Sequence, residues 1–212
     1  MTVFKYRDLH NFERIYDIVA NKQVHCSTYS KLNDPFEGEY VHYFGSSESG
    51  IGESGLEESG NNGENYKYVE ESKYKICSFS LENDNVVMWS SYADEHKGVC
   101  IEIELLEYSE EELIKITYDI DHKKVTKEHL SERTIRRVLS KKSKPWEYEK
   151  EIRLFSNDEK HRIKGRVNSI ILGCRTSRNE EMIIRAIAPE VKIKRAKVGF
   201  DYKMSIEEIW KT

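Results

Sequence analysis

Several features are missing from these 212 residues. No apolar run approaches the roughly 20 residues that a membrane-crossing helix needs, so a membrane partner is not expected. The first residues lack the basic-then-apolar pattern of a secretory signal. Cysteine is sparse and scattered: Cys26, Cys77, Cys100 and Cys174 lie far apart, with no C-x-x-C pair. That spacing argues against zinc and thioredoxin-like motifs, and no metal ligand is assigned. Three of the four sit in apolar or strand-like runs, the setting of buried free thiols in a reducing cytosol. A large positive charge is absent too. The formal net charge of −4 argues against a dominant nucleic-acid footprint and leaves only local basic patches. There is no internal repeat.

What is present reads as one α+β domain over residues 1–212, with a central antiparallel or mixed sheet and flanking helices. Strands are expected near Thr2, Val24, Tyr74, Val99, Leu113, Glu151, Ser169 and Val191. Phe12, Ile15, Tyr16 and Val19 fall at i, i+3, i+4 and i+7, an amphipathic helix. Met88 to Ala93 reads as a short helix, with Trp89 buried and Gly98 as a left-handed cap beyond it. Lys127 to Ser140 reads as a helix burying Ile135, Val138 and Leu139. Ser177 and Glu180 have capping-box spacing before another helix, which Pro189 closes. Residues 46–65 are dense in Gly, Ser, Glu and Asn and read as a mobile surface loop.

The stretch around which the chain is organised is Lys144 to Phe155. A strand starting near Glu149 puts Glu149, Glu151 and Arg153 on one face and Lys150, Ile152 and Leu154 on the other. Ser78 and Ser80 likewise share a face. Two carboxylates on one surface are candidate acid–base or stabilising groups, and like charges there should raise the pKa of at least one. Pairing of Arg153 with Glu151 would make the cluster structural instead. Leu32 to Glu37 is turn chemistry, which tucks Phe36 inward or lets Asp34 or Glu37 position a substrate hydroxyl. The 133–144 segment is the most basic. It is either a solvated helix face or a surface for phosphate or nucleic acid.

A resemblance rests on these residues in combination. Lys5-Tyr6-Arg7, Leu32 to Glu37, Met88-Trp89 through Tyr92-Ala93 to His96-Lys97-Gly98-Val99, and Trp146, Tyr148, Glu149, Glu151 and Arg153 resemble a large bacterial family of unknown function, DUF family 2971. The resemblance runs from about Phe4 to Gly173. Ile152 stands where that family more often has Trp. It implies a cytoplasmic bacterial protein associated with phage-defence and mobile-element genes, and no established activity.

A fainter resemblance comes from Arg7, then Ser78-x-Ser80, then Glu149-x-Glu151. That order is similar to the arginine-serine-glutamate ADP-ribosyltransferases. The resemblance implies NAD as substrate. Arg7 would grip the pyrophosphate through its planar fork. The serines would shape the nicotinamide pocket, and Glu151 would bind the ribose and stabilise the oxocarbenium-like transition state. Tyr92, Tyr148 or Trp146 would stack on the nicotinamide. Two other classes stay open. One is a metal-dependent hydrolase or nuclease using His96 with Asp34, Glu37, Glu149 or Glu151. The other is a non-catalytic nucleotide-sensing or interaction module.

Overall fold

In the computed structural model, the described residues are 1–36, 41–43, 73–118, 124–126, 132–200 and 202–209. The strands are β1 Thr2–Arg7, β2 Gln23–His25, β3 Val41–Tyr43, β4 Lys75–Ser80, β5 Val99–Leu105, β6 Leu113–Lys115, β7 Thr117–Tyr118, β8 Lys124–Thr126, β9 Lys141–Lys142, β10 Glu151–Ser156, β11 Lys160–Arg162, β12 Gly165–Leu172, β13 Lys192–Val198 and β14 Met204–Glu208. The α-helices are α1 Phe12–Val19, α2 Val86–Tyr92, α3 Glu132–Val138 and α4 Arg178–Ile187, with 3-10 turns at Tyr29–Lys31 and Lys144–Glu149.

The expected α+β class holds. An eight-stranded sheet runs in the order β14-β13-β12-β5-β1-β4-β10-β6. It is mixed, because β12 and β13 are parallel while its other neighbours are antiparallel. The strand near Val24 departs from expectation: β2 pairs with β11 outside this sheet. The segment 113–118 is two short strands in different sheets.

Period-two alternation gives the sheet two lined faces. On one, Val3, Ile101, Ile103, Phe79, Ile152 and Leu154 join Ile15 and Ile18 of α1 and Ile184 of α4 in the main core. On the other, two apolar clusters form. Tyr6, Met88, Trp89, Cys100 and Ile171 make the first. Tyr29, Ile76, Val138, Leu139 and Phe155 make the second. Ser78, Ser80, Glu151 and Arg153 project from this second face, whereas Lys5 and Arg7 share the parity of Val3 on the first. Trp89 is fully buried, as its sequence setting suggested. Phe36 is not tucked in but 58% exposed.

Local chemistry sets the elements. The Asn85 carboxamide accepts from the N–H groups of Val87 and Met88 and starts α2. Ser177 and Glu180 form the expected reciprocal capping box on α4. Beyond α2 the left-handed residues are Asp94, Glu95 and His96 rather than Gly98. Gly98 is required for another reason: a Cβ there would lie 2.2 Å from the carbonyl oxygen of Arg7. It lets β5 approach the end of β1 that carries Arg7.

The helix expected from Lys127 begins, among the described residues, at Glu132. The loop expected at 46–65 lies outside the described residues. No helix among the described residues is long and apolar enough to cross a membrane.

Candidate functional site

Strand pairing assembles the site. Antiparallel register sets Glu151 opposite Ser80 and Arg153 opposite Ser78, so four polar side chains project from one face of neighbouring strands. β10 lies inside the sheet, between β4 and β6, and all six of its residues are buried. On the far side of β4, register with β1 is limited, among the described residues, to Phe4 opposite Ser80. A cavity of about 210 Å³ lies beside this seam.

The cavity is lined by Arg7 and Lys5 of β1, Ser78 and Ser80 of β4, Met88 and Tyr92 of α2, and Glu149, Glu151, Lys142 and Arg153. Lys31, Leu32 and Asn33 close another side. Six of the anticipated residues therefore converge: Arg7, Ser78, Ser80, Tyr92, Glu149 and Glu151.

Glu149 arrives by a route that strand parity does not describe. It ends the 3-10 turn Lys144–Glu149, and Lys150 follows in the left-handed region at φ 43°. That reversal returns the chain to β10 with both carboxylates facing the cavity. Ser80 Oγ donates to the Glu149 carbonyl at 2.7 Å and ties the turn to β4.

The two carboxylates have different surroundings. Glu151 is gripped by Arg153, Nε to Oε1 at 2.8 Å and Nη2 to Oε2 at 3.1 Å. Arg153 Nη1 also donates to the Leu139 carbonyl at 2.6 Å. Lys142 Nζ bridges the acidic pair, at 2.5 Å from Glu149 Oε2 and 3.3 Å from Glu151 Oε2. The Tyr92 hydroxyl donates to Glu149 Oε1 and accepts from Asn33 Nδ2 at 2.8 Å.

Burial pushes the Glu151 carboxyl up, but Arg153, then Lys142 and the Ser78 hydroxyl, outweigh it and hold the group at about 2. Burial wins at Glu149, which is raised above the usual carboxylate range in spite of Lys142 and Tyr92. Burial and the adjacent carboxylate raise Tyr92. Two carboxylates pushed apart in this way differ in basicity, with Glu149 the stronger proton acceptor and Glu151 held ionised.

The cationic side is less satisfied. Arg7 Nε is buried with no hydrogen-bond partner. Among the described residues, Arg7, Lys5 and Lys31 make no ion pair. Lys5 Nζ donates to the Ser78 carbonyl and lies 5.4 Å from the Phe79 ring centroid. With Glu149 and Glu151 matched by Lys142 and Arg153, Lys5 and Arg7 are cations whose pKa burial lowers, and a bound anion would favour their charged forms. A guanidinium in that position favours an anion with planar or phosphate-like oxygens.

Other anticipated residues lie elsewhere. His96 does not line the cavity. It occupies a left-handed turn at φ 72°. Its backbone N–H donates to the Trp89 carbonyl, and its carbonyl accepts from Arg175 N–H at 3.0 Å. Burial and the Arg175 charge lower its pKa. Asp34 is buried, and its Oδ1 accepts from Phe36 N–H at 3.0 Å, a turn rather than a ligand group. Trp146 sits behind the cluster, with Lys142 Nζ 4.5 Å from its ring centroid. Tyr148 packs near Trp146 and the Trp89 cluster, outside the cavity lining. Glu37 lies outside the described residues. Lys142 belongs to the basic 133–144 segment, yet it is buried and faces inward rather than toward solvent.

Lys5, Lys31, Asn33 and Lys142 are polar cavity residues not anticipated as site residues. For Lys5 a signal was there: it shares a strand face with Val3 and Arg7, where an amine is conspicuous. For Lys142 no local signal distinguishes it from its basic neighbours.

Residues 88–154 match the model of a family described as Protein of unknown function (DUF2971). The resemblance is thus shown over this segment, which carries Tyr92, Lys142, Glu149, Glu151 and Arg153. No curated protein and no solved structure matches the chain.

Proposed function

We propose that this chain is a nucleotide-using enzyme of ADP-ribosyltransferase-like type, with NAD as substrate. The observation that carries this reading is the adjacency of β1, β4 and β10, whose Arg7, Ser78, Ser80 and Glu151 line one cavity with Glu149 from the turn before β10. The cavity is smaller than the roughly 300–1,000 Å³ of whole-ligand sites. It would hold the nicotinamide end of the dinucleotide, with the pyrophosphate over Arg7 and Lys31.

In this reading Tyr92 offers a ring to the nicotinamide. The C1′–N bond breaks, nicotinamide keeps its electron pair, and positive charge develops on the ribose. Ionised Glu151 faces that charge and accepts from a ribose hydroxyl. Glu149, of higher pKa, takes the proton of the attacking water or acceptor hydroxyl. The metal-dependent alternative has less support: His96 stands apart, and no group of three or more His, Cys, Asp or Glu among the described residues is placed to hold a metal.

A nucleotide-sensing module is the second reading. It is favoured by the fact that both Glu151 oxygens already accept from Arg153. Calorimetry with NAD and chromatography of released nicotinamide separate the readings. The enzyme reading expects binding and release, with release falling about a hundredfold or more in Glu151→Gln. Binding without release supports the sensor, and no binding removes both.

A further inference from the structure

Behind the cavity, on the opposite face of β4, two cysteines meet. Ser27 and Ile76 exchange both backbone hydrogen bonds, Ser27 N–H to Ile76 O at 2.8 Å and Ile76 N–H to Ser27 O at 2.7 Å. One step along each strand, Cys26 and Cys77 are therefore directly opposed at a non-hydrogen-bonded position. Such pairs have Cα atoms about 4.5 Å apart, inside the range of about 4.4–6.8 Å that a disulfide spans. Both are buried free thiols in the main core, and each perturbs the titration of the other: Cys26 is raised and Cys77 lowered. Lys5, whose amine donates to the Ser78 carbonyl, and Arg7 both lie within electrostatic reach of Cys77.

We propose that Cys26 and Cys77 form a redox-responsive dithiol beneath the cavity, which closes to a disulfide with a hydroperoxide and thereby strengthens anion binding at Lys5 and Arg7. The geometry supplies both the partner and the route. Ser78 and Phe79, the next residues of β4, line the cavity, whereas Cys77 is buried, so a small peroxide would enter by local opening of the β1–β4 seam.

Cys77 as thiolate attacks the terminal oxygen of hydrogen peroxide; the O–O bond breaks, a sulfenic acid forms, and the departing hydroxide takes a proton and leaves as water. The Cys26 sulfur then attacks the Cys77 sulfur, the S–S bond forms and water leaves. In sum the two thiols lose two electrons and two protons, and the peroxide is reduced to two waters. Burial pushes Cys77 up, but the neighbouring Cys26 and the charges of Lys5 and Arg7 prevail and lower it, which favours the attacking thiolate. That thiolate would offset one positive charge beside Lys5 and Arg7. The disulfide is neutral and leaves both cations to an anion in the cavity.

The dithiol half of this inference stands independently of the function proposed above, and the coupling half rests on it. The test treats the full chain with hydrogen peroxide, maps peptides without reduction, and titrates inorganic pyrophosphate before and after. The expected result is a Cys26–Cys77 crosslink and about tenfold tighter pyrophosphate binding. Cys26→Ser should abolish the crosslink. Cys77→Ser should bind pyrophosphate as tightly as the oxidised protein without any oxidant. Oxidation confined to the more accessible Cys174 overturns the dithiol. A crosslink with unchanged pyrophosphate affinity overturns the coupling. If no redox state binds pyrophosphate, the anion-site reading falls, and the peptide map still decides the dithiol.

Discussion

Arg153 and Glu151 meet in a two-pronged pair in which both ions are almost wholly withdrawn from water. The pair lines the cavity and also fixes the floor of the sheet, because the Arg153 guanidinium anchors the Leu139 carbonyl after α3. Structure and chemistry therefore share these residues. Removing one partner strands the other charge in the interior, at about 3–5 kcal/mol. Arg153→Met should lower stability by that amount. The Glu151→Gln/Arg153→Met double variant should lose less than the sum of the singles, as contacting residues do. Urea unfolding of the four proteins checks it, and strict additivity would refute the coupling.

Arg7 should behave oppositely. Its Nε is buried without a partner, so replacing it with an apolar side chain of similar length removes an unsatisfied group rather than a bond. Arg7→Met should match or exceed the wild-type melting temperature. It should weaken NAD or pyrophosphate binding about ten- to a hundredfold, the scale of losing a charged hydrogen bond. A destabilised variant that still binds normally would make Arg7 structural.

The acidic pair gives two pH dependences of opposite sign. Glu151, at about 2, lies below the unfolded value of about 4.3. A depressed carboxylate stabilises the fold above the unfolded value, and this contribution, about 3 kcal/mol by linkage, is lost as pH falls toward 2. Glu149 is raised. Its contribution is present below the unfolded value and lost as pH climbs through the folded one. Melting temperatures of wild type and Glu149→Gln, compared from pH about 4 upward, should show the wild type losing ground. A wild type that gains ground over that range would reverse the assignment.

Trp89 is fully buried. Its Nε1 donates to the Asn83 carbonyl at 2.7 Å, and the Tyr6 ring meets it edge-on at 5.3 Å. Trp89→Ala should lower stability by about 3–5 kcal/mol. Trp89 does not line the cavity, so whatever folded protein remains should still bind ligand. Selective loss of binding at unchanged stability would move Trp89 into the site.

A fifth expectation concerns Gly98→Ala. The added methyl would lie 2.2 Å from the Arg7 carbonyl oxygen and 2.9 Å from the Ala93 backbone. Overpacking of that kind destabilises by about 1–3 kcal/mol. The strand end that carries Arg7 must also shift, so anion affinity should fall with stability. A crystal structure of the variant with an unmoved Arg7 would refute this.

Much of the site was legible because strand periodicity is local. Parity alone placed Glu151 with Arg153 and Ser78 with Ser80, and sheet pairing then brought the two sets together. Glu149 reached the expected surface through a turn and a left-handed Lys150, which alternation does not describe. His96 reads as a catalyst by type, but backbone bonds with Trp89 and Arg175 determine its place. Lys142 looked solvated because charge runs usually are. Its burial depends on two carboxylates seven and nine residues later, and on Trp146 behind it. Such long-range compensation is invisible to a reading of neighbours. β2 reads like any other strand, and nothing in its sequence says that its partner is β11.

The limited register between β1 and β4 has a consequence for the sheet itself. Where two strands part inside a domain, they form an internal edge, with backbone groups that a neighbouring strand would otherwise satisfy. Here the Lys5 amine takes the Ser78 carbonyl. A ligand in the seam would serve as the missing rung of the ladder, joining the two halves of the sheet. Occupancy should then be felt in the backbone as slower amide exchange along β1 and β4, so that a thermal-shift screen of anions reports on the fold and the site at once.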